Sequence, residues 1–245
     1  MEDIGNHVDL RGSGGDRLQR PVIRCKDLEF SYATGDFRLK VPQLEIPPGQ
    51  RVALTGPSGC GKTTLIHLFA GILKARRGEL DVSGVSLSKY SDRDLQDFRI
   101  VRLGLIFQQF ELLQYLNAYE NVLLPYRLNP VLELGDSQRE RARELLEDVG
   151  LADKIARYPR ELSQGERQRV AVCRALITGP SLLLCDEPTA NLDPANRDRI
   201  LDILFAYCQN QNASLMMVTH DHEILNRFDQ TLDIRSFLPK TPVSQ

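Results

Sequence analysis

No apolar run in the 245-residue sequence approaches the roughly 18–20 residues needed to cross a bilayer, so no membrane-spanning helix is read from it. Residues 1–20 are polar and Gly-rich (Arg11-Gly-Ser-Gly-Gly15) and lack an apolar core segment, which excludes a secretory signal and predicts a flexible N-terminal tail. A second tail is expected at 239–245. Work at a membrane would then require a partner that holds the chain there. An excess of one charge is also missing: 31 Lys+Arg stand against 33 Asp+Glu, and a net charge of -2 gives no reason to expect a nucleic-acid partner. No internal repeat is evident. The five cysteines (Cys25, Cys60, Cys173, Cys185 and Cys208) are odd in number and show no C-x-x-C spacing. That excludes a disulfide framework or zinc site and fits a reducing, cytoplasmic setting, with most of the thiols as small buried hydrophobes.

What is present is an ordinary globular composition, 42% hydrophobic and 26% charged, long enough for one sizeable domain over 21–238. Val22–Tyr32, Phe37–Ile46 and Gln50–Leu54 alternate and read as strands, and Glu79–Ser83 as another. Lys62–Lys74 has helical apolar spacing. The span from about 91 to 160 reads as mainly helical. Within it, Ser137-Gln-Arg-Glu140 fits a capping box, and Ala142, Leu145, Leu146 and Val149 form one face ending at Gly150. Ser181–Cys185 and Ser214–Val218 are continuous apolar runs, suited to parallel strands buried on both faces. Strands alternating with helices predict an α/β fold with a mostly parallel sheet and a helical insertion.

Gly56-Pro57-Ser58-Gly59-Cys60-Gly61-Lys62-Thr63-Thr64 matches G-x-x-x-x-G-K-[ST] between a predicted strand and a predicted helix, the context that a P-loop requires. The glycines let successive N–H groups turn inward around a phosphate chain, and the helix start adds its positive dipole end. Lys62 is expected to reach the β/γ-phosphates and the Thr63 hydroxyl to ligate Mg²⁺. Further on, Leu182–Glu187 is an apolar strand ending in two carboxylates. Beside a P-loop, Asp186 would hold Mg²⁺ through water and Glu187 would polarise the attacking water as general base. Alone, such a strand end is commonly a solvated turn. Leu162-Ser-Gln-Gly-Glu166 precedes an apolar-faced helix. Ser163 and Glu166 suffice as a capping box, but Ser163 and the Gly165 backbone could equally present donors to an anion.

In this order the segments resemble the ABC ATPases, with Leu162–Glu166 similar to their LSGGQ signature and 20 residues ahead of the acidic strand. The resemblance runs from about Val22 to Phe228. It also takes in Tyr32, Gln108 in Ile-Phe-Gln, Asn191-Leu-Asp193 and His220 in Val-Thr-His-Asp. It implies a P-loop NTPase (RecA-like) core, an N-terminal antiparallel β subdomain and an inserted α-helical subdomain at about 91–160. ATP and Mg²⁺ are the implied cofactors. Two cassettes would form a homodimer on ATP binding, each nucleotide lying between one P-loop and the other signature. Tyr32, with Phe37 as a substitute, would stack on adenine, and Gln108 would meet Mg²⁺ and the attacking water. His220 would hydrogen-bond the γ-phosphate, Asp193 would touch the partner cassette, and Ser163, Gly165 and Glu166 would meet the opposite nucleotide. Gln164 and Glu166 depart from the commonest signature, and Glu166 adds negative charge near that nucleotide.

The stretches Gly104–Leu113 and Glu120–Pro125 resemble cassettes of macrolide exporters and lipoprotein-release systems. They imply a separate integral-membrane permease, with this chain peripheral on the cytoplasmic face of the inner membrane. Regulation of an envelope complex without transport, an importer cassette, a soluble repair or translation ATPase and a P-loop kinase are the alternatives. A kinase would leave Leu162–Glu166 and His220 unexplained.

Overall fold

The structure, a computed structural model, describes residues 20–190 and 192–238. The expected tails over 1–19 and 239–245, and Asn191, lie outside the described residues. The chain opens with strands β1 (Ile23–Ser31), β2 (Arg38–Ile46) and β3 (Arg51–Thr55), followed by helix α1 (Lys62–Phe69). Strands β4 (Arg77–Val82) and β5 (Val85–Ser86) lead into α2 (Asp92–Arg102) and β6 (Leu103–Ile106). Three helices follow, α3 (Ala118–Val122), α4 (Leu124–Leu128) and α5 (Asp136–Asp148). Then come α6 (Gln164–Leu176), β7 (Leu182–Asp186), α7 (Pro194–Gln211), β8 (Ser214–Val218) and β9 (Gln230–Asp233).

The strands form two sheets. An antiparallel sheet runs β2-β1-β4-β5, and a parallel sheet runs β6-β7-β8-β3-β9. Alternation explains the first: along β2 the residues Leu39, Val41, Leu44 and Ile46 are buried while Lys40 and Glu45 are exposed. Continuous burial explains the second, because β7 and β8 are covered on both faces. Leu182 and Leu184 of β7 join Met216 and Val218 of β8 in a core shared with α1 and the antiparallel sheet. Leu183, Cys185, Leu215 and Met217 point the other way, into a core with α5, α6 and α7. Each fully buried side chain of this size contributes about 1.5–3 kcal/mol. The parallel sheet is thus clamped between two cores, and its strand ends are rigidly placed.

Two local expectations are corrected, and the mainly helical span 91–160 also carries β6, which pairs with β7 through Ile106↔Cys185 in the parallel sheet. Helix α1 stops at Phe69 instead of Lys74, because Gly71 takes the left-handed conformation (φ 63°) that ends a helix. The box at Ser137–Glu140 does not form: α5 begins two residues earlier at Asp136, where Gly135 N donates to Gln138 Oε1 at 3.0 Å, half of a capping box with no N-cap side chain to complete it. Its apolar face (Ala142, Leu145, Leu146, Val149) is buried as the spacing predicts. Of the five cysteines, all free, only Cys60 is not fully buried. Burial pushes the Cys25 and Cys208 thiols up to about 12, so both remain protonated at neutral pH.

Candidate functional site: a phosphate loop and a helix tip

The strand order brings the sequence motifs to one edge. The C-terminal ends of β3, β8 and β7 lie side by side, so β7 stands roughly 10 Å from β3, two strand spacings away. Ligands of open α/β sheets collect at this edge. β3 delivers residues 56–64, β7 delivers Asp186 and Glu187, and β8 delivers Thr219 and His220. The register Ile106↔Cys185 sets Gln108, which is exposed, level with the acidic pair on the far side.

The loop is built on positive φ angles of 142° at Gly56, 75° at Gly59 and 98° at Gly61. A Cβ on Gly61 would lie 2.4 Å from the Phe37 ring, so a larger residue would have to displace that ring as well as adopt a strained φ of 98°. Pro57, Ser58 and Gly59 are exposed. Lys62 is buried, and its Nζ donates to the carbonyls of Gly56 and Pro57, both at 2.9 Å. Helices α2, α3, α6 and α7 each begin with a side-chain cap, whereas α1 has neither a side-chain cap nor an acid in its first turn. Its first N–H groups are left for an anion. Thr63 is exposed, whereas Thr64 is buried and shares a 2.9 Å hydrogen bond with the Tyr32 hydroxyl. Tyr32 is 42% exposed. Phe37 is occupied in backing Gly61, so Tyr32 offers the more open aromatic face at this edge.

At the acidic end, Glu187 adopts φ 49°, a conformation that a non-glycine residue rarely takes. Its N–H bonds to Val218 O at 3.2 Å, and its Oε2 stands 3.5 Å from His220 Nδ1. The two expected catalytic side chains therefore meet. The next carbonyl, that of Pro188, accepts from Nε2 of Gln168, a wholly buried residue of α6.

The tip of α6 faces solvent. Ser163 is exposed, accepts from Glu166 N at 3.3 Å, and donates its own N–H to Glu166 Oε2 at 2.8 Å. Gly165 is buried under Asn196, where a Cβ would come within 2.9 Å of Asn196 Oδ1. Asn196 takes a bond from Arg169 at 3.1 Å and gives one to Asp193, the exposed N-cap of α7, at 2.6 Å. Lys154 forms an ion pair with Glu166. Lys154, Gln168, Arg169 and Asn196 escaped the sequence reading, since their partners lie 12 to 27 positions away. A glutamine facing the apolar side of a helix was the one visible signal.

The family profile described as ABC transporter matches residues 39–190. The chain belongs to the ABC transporter family. Its relatives include the lipoprotein-releasing system ATP-binding protein LolD of Treponema denticola, 41% identical, covering 86% of this chain and 94% of LolD. LolD of Legionella pneumophila is 38% identical over 86% and 93% of the two chains. An ABC transporter ATP-binding protein of Mycobacterium tuberculosis is 37% identical over 89% and 88%. Among solved structures, the ATP-binding cassette MJ0796, in a dimeric post-hydrolysis state bound to ADP and Pi, superposes with a TM-score of 0.78. It is 30% identical and covers 86% of this chain and 93% of its own. This ABC cassette is accordingly an ATP-binding, ATP-hydrolysing subunit with the P-loop fold.

Cys60 gives the ABC loop a chemical handle, because the other four thiols are buried. Alkylation of the folded chain is expected to select Cys60 and to weaken ATP binding by roughly tenfold or more, about 1.4 kcal/mol. Full modification with unchanged ATP affinity would remove Cys60 from the nucleotide's path.

Proposed function

We propose that this chain dimerises on ATP and thereby drives a separate integral-membrane permease of the lipoprotein-release or macrolide-export type. The observation that carries the reading is the exposure of Ser163. Ser163 stands at the start of α6 open to solvent, and a second copy is what would bring a nucleotide to it. The dimeric form of MJ0796 and the LolD relatives support it. Residues 21–238 form one cassette in this reading, with 91–160 as its helical part, peripheral on the cytoplasmic face of the inner membrane. No nucleic acid takes part.

The roles follow from position. Residues 56–64 and Lys62 grip the triphosphate while Tyr32 meets the adenine. The donors fit Mg²⁺: an exposed Thr63 hydroxyl, a half-exposed Asp186 and the Gln108 amide suit a hard cation that keeps phosphate and water ligands. Among the described residues no cluster of three His, Cys, Asp or Glu forms a protein cage, which such a cation does not need. Mg²⁺ would supply neutralisation of the phosphate oxygens. Glu187 takes a proton from the attacking water, and His220 orients beside it. Ser163, Gly165 and Glu166 meet the neighbour's nucleotide, with Asp193 at the subunit contact. Loss of the γ-phosphate removes the bridge between chains.

The permease has a fitting landing place. A cavity of about 450 Å³ lies between α2, α4 and the end of α6, lined by Arg99, Leu105, Phe107, Leu124, Leu128 and Arg174. Arg174 ties α6 to the loop carbonyls of Phe110 and Glu111 at 2.7 Å each, so an occupant would touch the segment bearing Gln108. Leu128 is 68% exposed. Leu128→Glu is expected to reduce permease co-purification about tenfold or more, as for an anchor worth about 2 kcal/mol, with ATP affinity unchanged. Undiminished co-purification would move the docking site elsewhere. The proposal as a whole is tested by capturing Glu187→Gln with ATP from membranes. Recovery of a large-periplasmic-domain permease is the expected result, and recovery of no membrane protein would overturn it.

A further inference from the structure

We propose that Lys154 is a positioning residue for the composite nucleotide site: it neutralises Glu166 and so lets an anionic triphosphate approach the tip of α6. The inference rests on the ATP-sandwich reading and extends it to a residue outside the motifs.

Glu166 lies in the first turn of α6, three residues after Ser163. One of its carboxylate oxygens is spent on the Ser163 N–H, which shapes the cap, and the other on Lys154 Nζ. Its side chain is 15% exposed, and that of Lys154 is 35% exposed. The hydrogen bond from Lys154, together with those from Ser163, holds the carboxyl below the usual carboxylate range, so it is ionised at neutral pH. A carboxylate is welcome at a helix N-terminus as a cap, yet the same site must accept the phosphates of the opposing nucleotide. An unpaired negative charge there would repel them and cancel the helix end's attraction. Lys154 resolves the conflict, and it reaches Glu166 from the short segment ahead of α6. Arg169 of α6 spends its hydrogen bond on Asn196 and meets Glu166 through charge alone, and Arg167 follows Glu166 in the helix, but the ion pair to the Glu166 carboxylate comes from Lys154.

Because the effect is one of charge, it has a distinctive genetic signature. Contacting charged groups show coupling of about 0.5–3 kcal/mol in double-mutant cycles. In a Glu187→Gln background, Lys154→Met is expected to raise the ATP concentration for half-maximal dimerisation about tenfold, or about 1.4 kcal/mol. ATP binding by the monomer, read with a fluorescent analogue at low protein concentration, should not change. The defect should shrink at high salt, where charges are screened. Lys154→Arg should behave as the parent. The decisive arm is Lys154→Met with Glu166→Gln, expected to need at least about threefold less ATP for dimerisation than Lys154→Met alone, since the glutamine keeps the cap without the charge. Normal dimerisation of Lys154→Met, or a double variant worse than the single one, would overturn the proposal and leave Lys154 a purely structural tether. A parent that binds ATP but never dimerises would instead bring down the sandwich reading itself, and this proposal with it.

Discussion

Replacing Lys62 by alanine is expected to lower ATP affinity by about two to three orders of magnitude, roughly 3–4 kcal/mol. An ammonium has three N–H donors. In this chain two go to the carbonyls of Gly56 and Pro57, leaving the third for a phosphate oxygen. A hydrogen bond to a charged partner contributes about 1.5–3 kcal/mol, and truncation removes that bond. It also frees two carbonyls that lock the loop, which adds a reorganisation cost on binding. Lys62 is only 7% exposed, so its charge is held within the loop. Isothermal titration with ATP is the measurement. Affinity within threefold of the parent would take Lys62 out of the site.

Glu187→Gln is expected to separate binding from chemistry. A positioned general base typically contributes about 10²–10⁴ in rate, so phosphate release should fall by that factor. Glutamine has the same size, meets the same φ of 49° and can still hydrogen-bond, so nucleotide contacts remain. The expected species is therefore an ATP-bound dimer that persists, visible as a doubled mass in light scattering with ATP and lost with ADP. His220, 3.5 Å from the carboxylate, would face a neutral amide. Turnover at the parent rate would assign the proton transfer to another group, and rapid decay of the dimer would deny that hydrolysis is what opens it.

Much of this was legible because phosphate chemistry is encoded locally. A glycine-rich turn, a lysine and a helix start occupy nine consecutive residues, and the acidic pair closes a four-residue apolar run. The alternation in β2 and the continuous runs in β7 and β8 marked the two kinds of sheet, and four of the five thiols are the buried hydrophobes that were expected of most of them. Strand β6 was hidden for a physical reason. Its four residues follow α2 with no intervening turn, and Leu103 serves as both helix cap and first strand residue, so neither period is displayed. The true cap of α5 was hidden because Gln138 satisfies a glycine N–H, leaving no capping side chain to read. Glu166 was read as a bare charge beside the opposing nucleotide; the structure places Lys154 against it, across 12 positions that no motif spans.

Helix α6 offers Ser163 to the outside at its tip and, five residues later, props up the carbonyl that follows Glu187. Those two points are separated by about 7.5 Å of helical rise, and a helix hardly compresses along its axis. A push of a few tenths of an ångström on the exposed end would arrive nearly whole at the turn carrying the base. In the proposed ATP-bound pair the same rod would belong to two reaction chambers at once, one in each copy, and a tightening around either triphosphate would be felt as a change of aim in the other.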